Sequence, residues 1–154
     1  MRPIVDAAKS TEFSFEGTVF RYGEQDYDIT LRSQSINSIL TAVPVGNKIV
    51  IECHVGPKNG IYCIFNTVSR SFEKDIEGHN LIWHSDDIAT AVYAFWSEIH
   101  TYDGSMIKKY NLEENELIYG LEYAESNTKL KVTIVCDDGT ERTDIIDLSS
   151  FYIP

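Results

Sequence analysis

Glu52-Cys53-His54, with Cys63 beyond the next turn, is the cluster closest to a metal site. Thiolate and imidazole suit zinc, but the paired CxxC or CxxH spacing of a structural zinc site is absent. Within a strand, Cys53 and His54 point to opposite faces, so one ion could not take both without a bulge. Cys53 and Cys63 could instead face one another and pair as a disulfide. With Cys136 as a third cysteine, buried free thiols in a reducing compartment are the preferred reading.

His84-Ser85-Asp86-Asp87 holds the residue types of a serine hydrolase in the wrong arrangement. A triad is assembled in space, neighbours on a strand diverge, and no Gly-x-Ser-x-Gly elbow occurs. Asp86 and Asp87 more simply supply turn geometry through side-chain bonds to the backbone. Glu52, Asp103, Glu116 and Glu122 are candidate carboxylates, yet their spacing singles out no acid/base pair. Asp137-Asp138-Gly139 starts like a calcium loop and lacks the later ligands. Glycine-rich phosphate loops are missing too. The sequence therefore assigns no catalytic residue, no metal ligand and no cofactor.

The aromatic residues are more informative. Tyr93, Phe95, Trp96, Tyr102, Tyr110, Tyr119 and Tyr123 fall within a short stretch. If Ile88–Trp96 is one strand, Tyr93 and Phe95 share a face and Trp96 takes the other, which directs part of the set out of the core. Trp96-Ser97-Glu98 is then a candidate contact anchor, since exposed aromatic side chains concentrate binding energy. The expected partner-binding residues are Trp96, Glu98, Tyr102, Asp103, Glu113, Glu114 and Glu116.

Charge selects among partners. The chain carries 24 acidic and 13 basic residues, a formal net charge of -11. That field repels phosphate backbones, so direct nucleic-acid binding is disfavoured, while encounter with a basic protein is accelerated. The N-terminal Met-Arg-Pro-Ile-Val has no apolar signal core, and no run approaches the roughly 18 apolar residues of a membrane span. The expectation is a cytoplasmic protein with a protein partner, no membrane partner, and a homodimer as one option.

These residues must be positioned by strands. The 154-residue chain suits one domain over residues 1–154. Residues 1–12 form a flexible N-terminal segment with Val5–Lys9 the helix-compatible stretch, and Phe13–Leu31 reads as a β-hairpin around Tyr22-Gly23-Glu24-Gln25. Further strands are expected at Ser35–Pro44, Ile49–Val55, Ile61–Asn66, Ser71–Ile76, Leu81–His84, Ile88–Trp96, Ile99–Tyr102, Met106–Leu112, Leu117–Tyr123, Lys129–Cys136 and Arg142–Leu148. Gly56-Pro57-Lys58-Asn59-Gly60 is a loop, and Phe151–Pro154 a hydrophobic tail. No amphipathic helix of ordinary length is expected.

Asn47, Asp87 and Thr128 each precede the central strand of a three- or four-strand group, about 40 residues apart, a period that suits propeller blades. Leu81-Ile82-Trp83-His84-Ser85-Asp86-Asp87, followed by Ile99-His100-Thr101-Tyr102-Asp103-Gly104, resembles the blades of TolB-like and WD-type propellers. The resemblance covers residues 36–148 as about three blade-like units, with Ser85 and Asp87 standing where TolB-type blades carry Pro and Gly. It implies an all-β antiparallel meander of propeller-blade-like units. Closed propellers usually need at least four blades, so an incomplete propeller, an open sheet or a sandwich all remain compatible.

Three functions follow as expectations. The first is a non-enzymatic protein-protein interaction module with an acidic, aromatic-bearing surface. The second is a small acidic inhibitor, of the toxin-immunity or phage anti-defence kind, that blocks a basic nucleic-acid-binding site. The third is an enzyme or small-ligand binder with a pocket between strands, which would draw on His54, His84 or His100.

Overall fold

A computed structural model describes residues 2–3, 13–55 and 60–149. Among these the chain forms fourteen strands and a single turn of 3-10 helix. The strands are β1 (Arg2–Pro3), β2 (Phe13–Glu16), β3 (Val19–Tyr22), β4 (Gln25–Asp28), β5 (Ser38–Val45), β6 (Lys48–His54) and β7 (Gly60–Asn66). After them come β8 (Ser71–His84), β9 (Asp87–Phe95), β10 (Glu98–Thr101), β11 (Met106–Lys109), β12 (Glu116–Ala124), β13 (Lys129–Cys136) and β14 (Glu141–Asp147). All the registered pairings are antiparallel and the sheets do not close into a barrel. The fold is all-β.

The chain divides into two compact units, Met1–Glu77 and Gly78–Pro154, with the division falling inside β8. In the first unit, β1-β2-β3-β4 form one sheet, and β5, β6, β7 and the first half of β8 follow one another in a second. Both sheets feed one core: Phe13, Phe20 and Tyr22 from the first, Ile39, Ala42, Ile49, Ile51, Cys53, Cys63 and Phe65 from the second, with Ile29 of the 3-10 turn joining them. Rings dominate it. Phe65 lies 5.1 or 5.2 Å, centroid to centroid, from Phe20, Tyr22, Tyr27 and Phe72, mostly edge to face. Alternation explains the placement, because Ile49, Ile51 and Cys53 share one face of β6 while His54 is exposed on the other.

In the second unit the latter half of β8 is followed by β9, β10 and β11, and a separate sheet has the order β12-β13-β14. Here the core is mainly aliphatic, with Tyr110 its one buried ring among the described residues. Val92, Ala94 and Ile99 meet Ile118, Leu121, Leu130, Val132, Ile134 and Ile146. Close approach of backbones requires one small residue: a Cβ on Gly78 would sit 2.5 Å from the Ala94 carbonyl oxygen.

Three expectations change. Phe13–Leu31 is not a single hairpin but three strands, β2 to β4, because Gly17 and Gly23 each adopt positive φ (59° and 61°) and turn the chain twice. Leu31 ends the 3-10 turn and is exposed. The runs Ser71–Ile76 and Leu81–His84 are the two halves of β8, joined across the polar Glu77–Asn80 segment. Trp96 lies outside β9. The expected helix-compatible stretch Val5–Lys9, the tail Phe151–Pro154 and most of the 56–60 loop fall outside the described residues.

Candidate functional site

The expected contact residues gather in the second unit around the β9–β10–β11 meander and the segment that follows it. Phe95 pairs with Glu98 across a turn made only of Trp96 and Ser97. So tight a reversal needs positive φ where right-handed strand twist is matched, and Trp96 supplies it at φ 54°. A bulky residue there is unusual, since left-handed backbone disfavours any side chain beyond Gly, Asn or Asp. The indole is 52% exposed and meets Phe95 edge to face at 6.2 Å.

Cross-strand pairing sets its neighbours. Tyr93 and Phe95 lie on one face of β9, opposite His100 and Glu98 of β10, and Glu98 is in turn opposite Lys109 of β11. Residues of the other face, Val92, Ala94 and Ile99, enter the core. The Tyr93 and His100 rings stack at 5.5 Å with 15° between their planes. His100 Nε2 lies 2.8 Å from Glu98 Oε1, and His100 Nδ1 lies 3.2 Å from the Gly104 carbonyl oxygen. Partial burial, and then the nearby Asp103 carboxylate, push the Tyr93 hydroxyl above its ordinary value.

Tyr102 is half-buried and Asp103 exposed in the loop between β10 and β11. Asp103 accepts bonds from the Thr101 hydroxyl and from the Ser105 amide at 3.1 Å, and Gly104 completes the turn at φ 91°. The carboxylate is thus partly engaged in shaping its own loop.

Glu113 and Glu114 are exposed between β11 and β12. Glu116 differs: its carboxylate takes two bonds from Arg142, at 3.0 and 3.2 Å, and one from the Glu113 amide at 2.9 Å. Arg142 holds the Glu116 carboxyl below its ordinary value, with the Glu113 amide adding to the effect. Its negative charge is answered within the fold, so the exposed acidic pair of this segment is Glu113 and Glu114. Nearby, Asp144 accepts from Lys108 and from Tyr110, each at 2.8 Å. The Lys108 bond, then the Tyr110 bond, lowers the Asp144 carboxyl, and burial raises the Tyr110 hydroxyl.

The other clusters have structural explanations. Cys53 and Cys63 are free and fully buried, on diagonal positions of β6 and β7. The Cys63 thiol is pushed up by its contact with Cys53 and by burial, the condition of an unreactive core thiol. His84 Nδ1 lies 2.9 Å from Ser85 Oγ, but Ser85 and Asp86 form the β8–β9 turn, both at positive φ (60° and 49°). Among the described residues, no three His, Cys, Asp or Glu side chains converge as metal ligands. No helix in that set is long and apolar enough to cross a membrane.

Sequence reasoning missed His100, Tyr93 and Lys109 as neighbours of Glu98. The signal was present in the spacing: Tyr93 and His100 are placed symmetrically about the Trp96-Ser97 turn, so two antiparallel strands must bring them opposite one another.

No protein-family model matches the chain. No curated protein matches it either.

Proposed function

We propose that this chain is a non-enzymatic protein-interaction module whose contact surface centres on Trp96. The observation that carries the reading is the indole itself, half exposed and held on positive-φ backbone at the tip of a two-residue turn. Strained backbone costs on the order of 1–3 kcal/mol and persists where the surroundings over-determine it, which is common at binding surfaces. A large amphipathic ring supplies contact area at low conformational cost. Phe95, Glu98, Tyr102 and Asp103 surround this anchor in sequence, and the exposed Glu113 and Glu114 extend the acidic character. A basic protein surface is the complementary partner for a chain of net charge -11.

A narrower form of the same reading is an acidic inhibitor that covers a nucleic-acid-binding surface. The net charge supports it, because carboxylates can stand where phosphates would sit. The two forms separate by competition: nucleic acid should displace an inhibitor's partner and leave an unrelated complex intact.

The test is a comparative pull-down with wild-type chain, Trp96→Gly and Glu113→Lys/Glu114→Lys. Proteins captured by the wild type should be lost with Trp96→Gly and weakened by charge reversal or by raised salt. Equal capture by all three, insensitive to salt, overturns the reading.

A further inference from the structure

The two ring nitrogens of His100 both face acceptors. Nε2 is 2.8 Å from a Glu98 carboxylate oxygen, and Nδ1 is 3.2 Å from the Gly104 carbonyl. A neutral imidazole donates from one nitrogen and turns a lone pair outward at the other, so it satisfies only one of these oxygens. An imidazolium satisfies both. We propose that His100 is a pH-responsive clamp on the β10–β11 loop, closed when the ring carries two protons and released at Gly104 when it carries one.

Titratable groups on three strands and the loop lie near the ring. Glu98 is on the same strand, Tyr93 stacks on it from β9, Asp103 belongs to the loop, and Lys109 stands opposite Glu98 on β11. Glu98 is a charged acceptor at the shorter distance and Gly104 a neutral one at the longer, so the single remaining proton stays on Nε2. The loop is small and closed by its own bonds: Thr101 N–H to the Ser105 carbonyl at 2.9 Å and Gly104 N–H to the Thr101 carbonyl at 3.0 Å. The Nδ1 contact ties this closed loop back to β10 from outside. Sign follows directly: the clamp is present at low pH and lost as pH rises.

The loop carries Tyr102 and Asp103, so the clamp also sets how two proposed contact residues are presented. That consequence rests on the interaction reading; the clamp does not.

The experiment is an NMR titration of the whole, isotopically labelled chain between about pH 5 and 8, where imidazoles change charge. Ring nitrogen shifts should report both positions protonated at the acid end and Nδ1 alone deprotonated at the basic end. Backbone amides of residues 101–105 should move with the same midpoint as the ring, and should stop responding in His100→Gln. Deprotonation at Nε2 first, a ring that keeps one charge state throughout, or loop amides with a different midpoint each overturn the clamp. The wild-type ring spectrum decides the matter if His100→Gln does not fold. Separately, partner capture that is independent of pH in a chain whose clamp titrates as expected would count against the role of Tyr102 and Asp103 in contact.

Discussion

The two units solve the same packing problem with different chemistry. The first gathers Phe13, Phe20, Tyr22, Tyr27, Phe65 and Phe72 into one cluster, with Phe65 touching four other rings. The second has a mainly aliphatic core. Both tie strands through polar side chains: Lys48 on β6 bonds Glu73 on β8 and Arg21 on β3 bonds Asp26 on β4 in the first, while in the second Lys108 and Tyr110 of the β11 region bond Asp144 on β14, and Arg142 on β14 bonds Glu116 on β12. Rings bury much area per residue but tolerate few substitutions, because their shapes interlock. Aliphatic side chains adapt more easily. The difference predicts where each unit is vulnerable.

The largest effect belongs to Phe65→Ala, which removes the hub of the aromatic cluster and should cost about 3–5 kcal/mol. Chemical denaturation followed by near-ultraviolet circular dichroism checks it. Both tryptophans, Trp83 and Trp96, belong to the second unit, so their fluorescence reports on that unit directly. A fluorescence transition that shifts less than the dichroism one would sharpen the distinction between the units; coincident shifts would break it.

Leu130→Ala is the counterpart in the second unit, with an expected cost of about 2–5 kcal/mol. It should move the tryptophan transition at least as far as any other signal.

Acid comes next. Asp144 and Glu116 are both held below their ordinary values, by Lys108 and Arg142 respectively. A depressed carboxyl contributes stability that is present above its unfolded value and lost as pH falls through its folded one. The ties of the second unit should therefore weaken as pH drops below about 4. Asp144→Asn should make the tryptophan transition less sensitive to acid than in the wild type, while the dichroism of the aromatic cluster keeps its wild-type acid response. In the first unit Asp28 is also depressed, but by Thr30 within its own 3-10 turn, so its protonation should act locally.

Trp96→Gly has the smallest effect on stability. It removes a bulky side chain from positive φ, so the melting temperature should hold or rise slightly. A fall of several degrees would mean that the indole supports the fold, and would weaken its claim to be a contact residue.

Much of the strand order was legible in the residues. β6, β7, β13 and β14 lie within a residue or two of their expected spans, and Gly46-Asn47, Ser126-Asn127-Thr128 and Asp137-Asp138-Gly139, all rich in turn-forming residues, fall where strands reverse. Turn residues and β-branched runs act locally, so they can be read locally. The second reversal at Gly17 and the joining of two runs into β8 were not legible. A lone Gly within an alternating run marks either a turn or a bulge, and only the pairing partner decides which.

The candidate surface divides in the same way. The sequence alone determined an acidic chain, an aromatic stretch from Tyr93 to Tyr123, and tight turns that strands must flank. Alternation even placed Tyr93 and Phe95 on a common face. Tertiary structure decided which charges are spoken for: Glu116 is answered by Arg142, 26 residues away in sequence, and Asp144 by Lys108, 36 away. It also decided that Trp96 sits on a turn and that His100 faces two oxygens. Distances such as these depend on which strands pair and in what register, and register is a property of the whole sheet that no short stretch of residues carries.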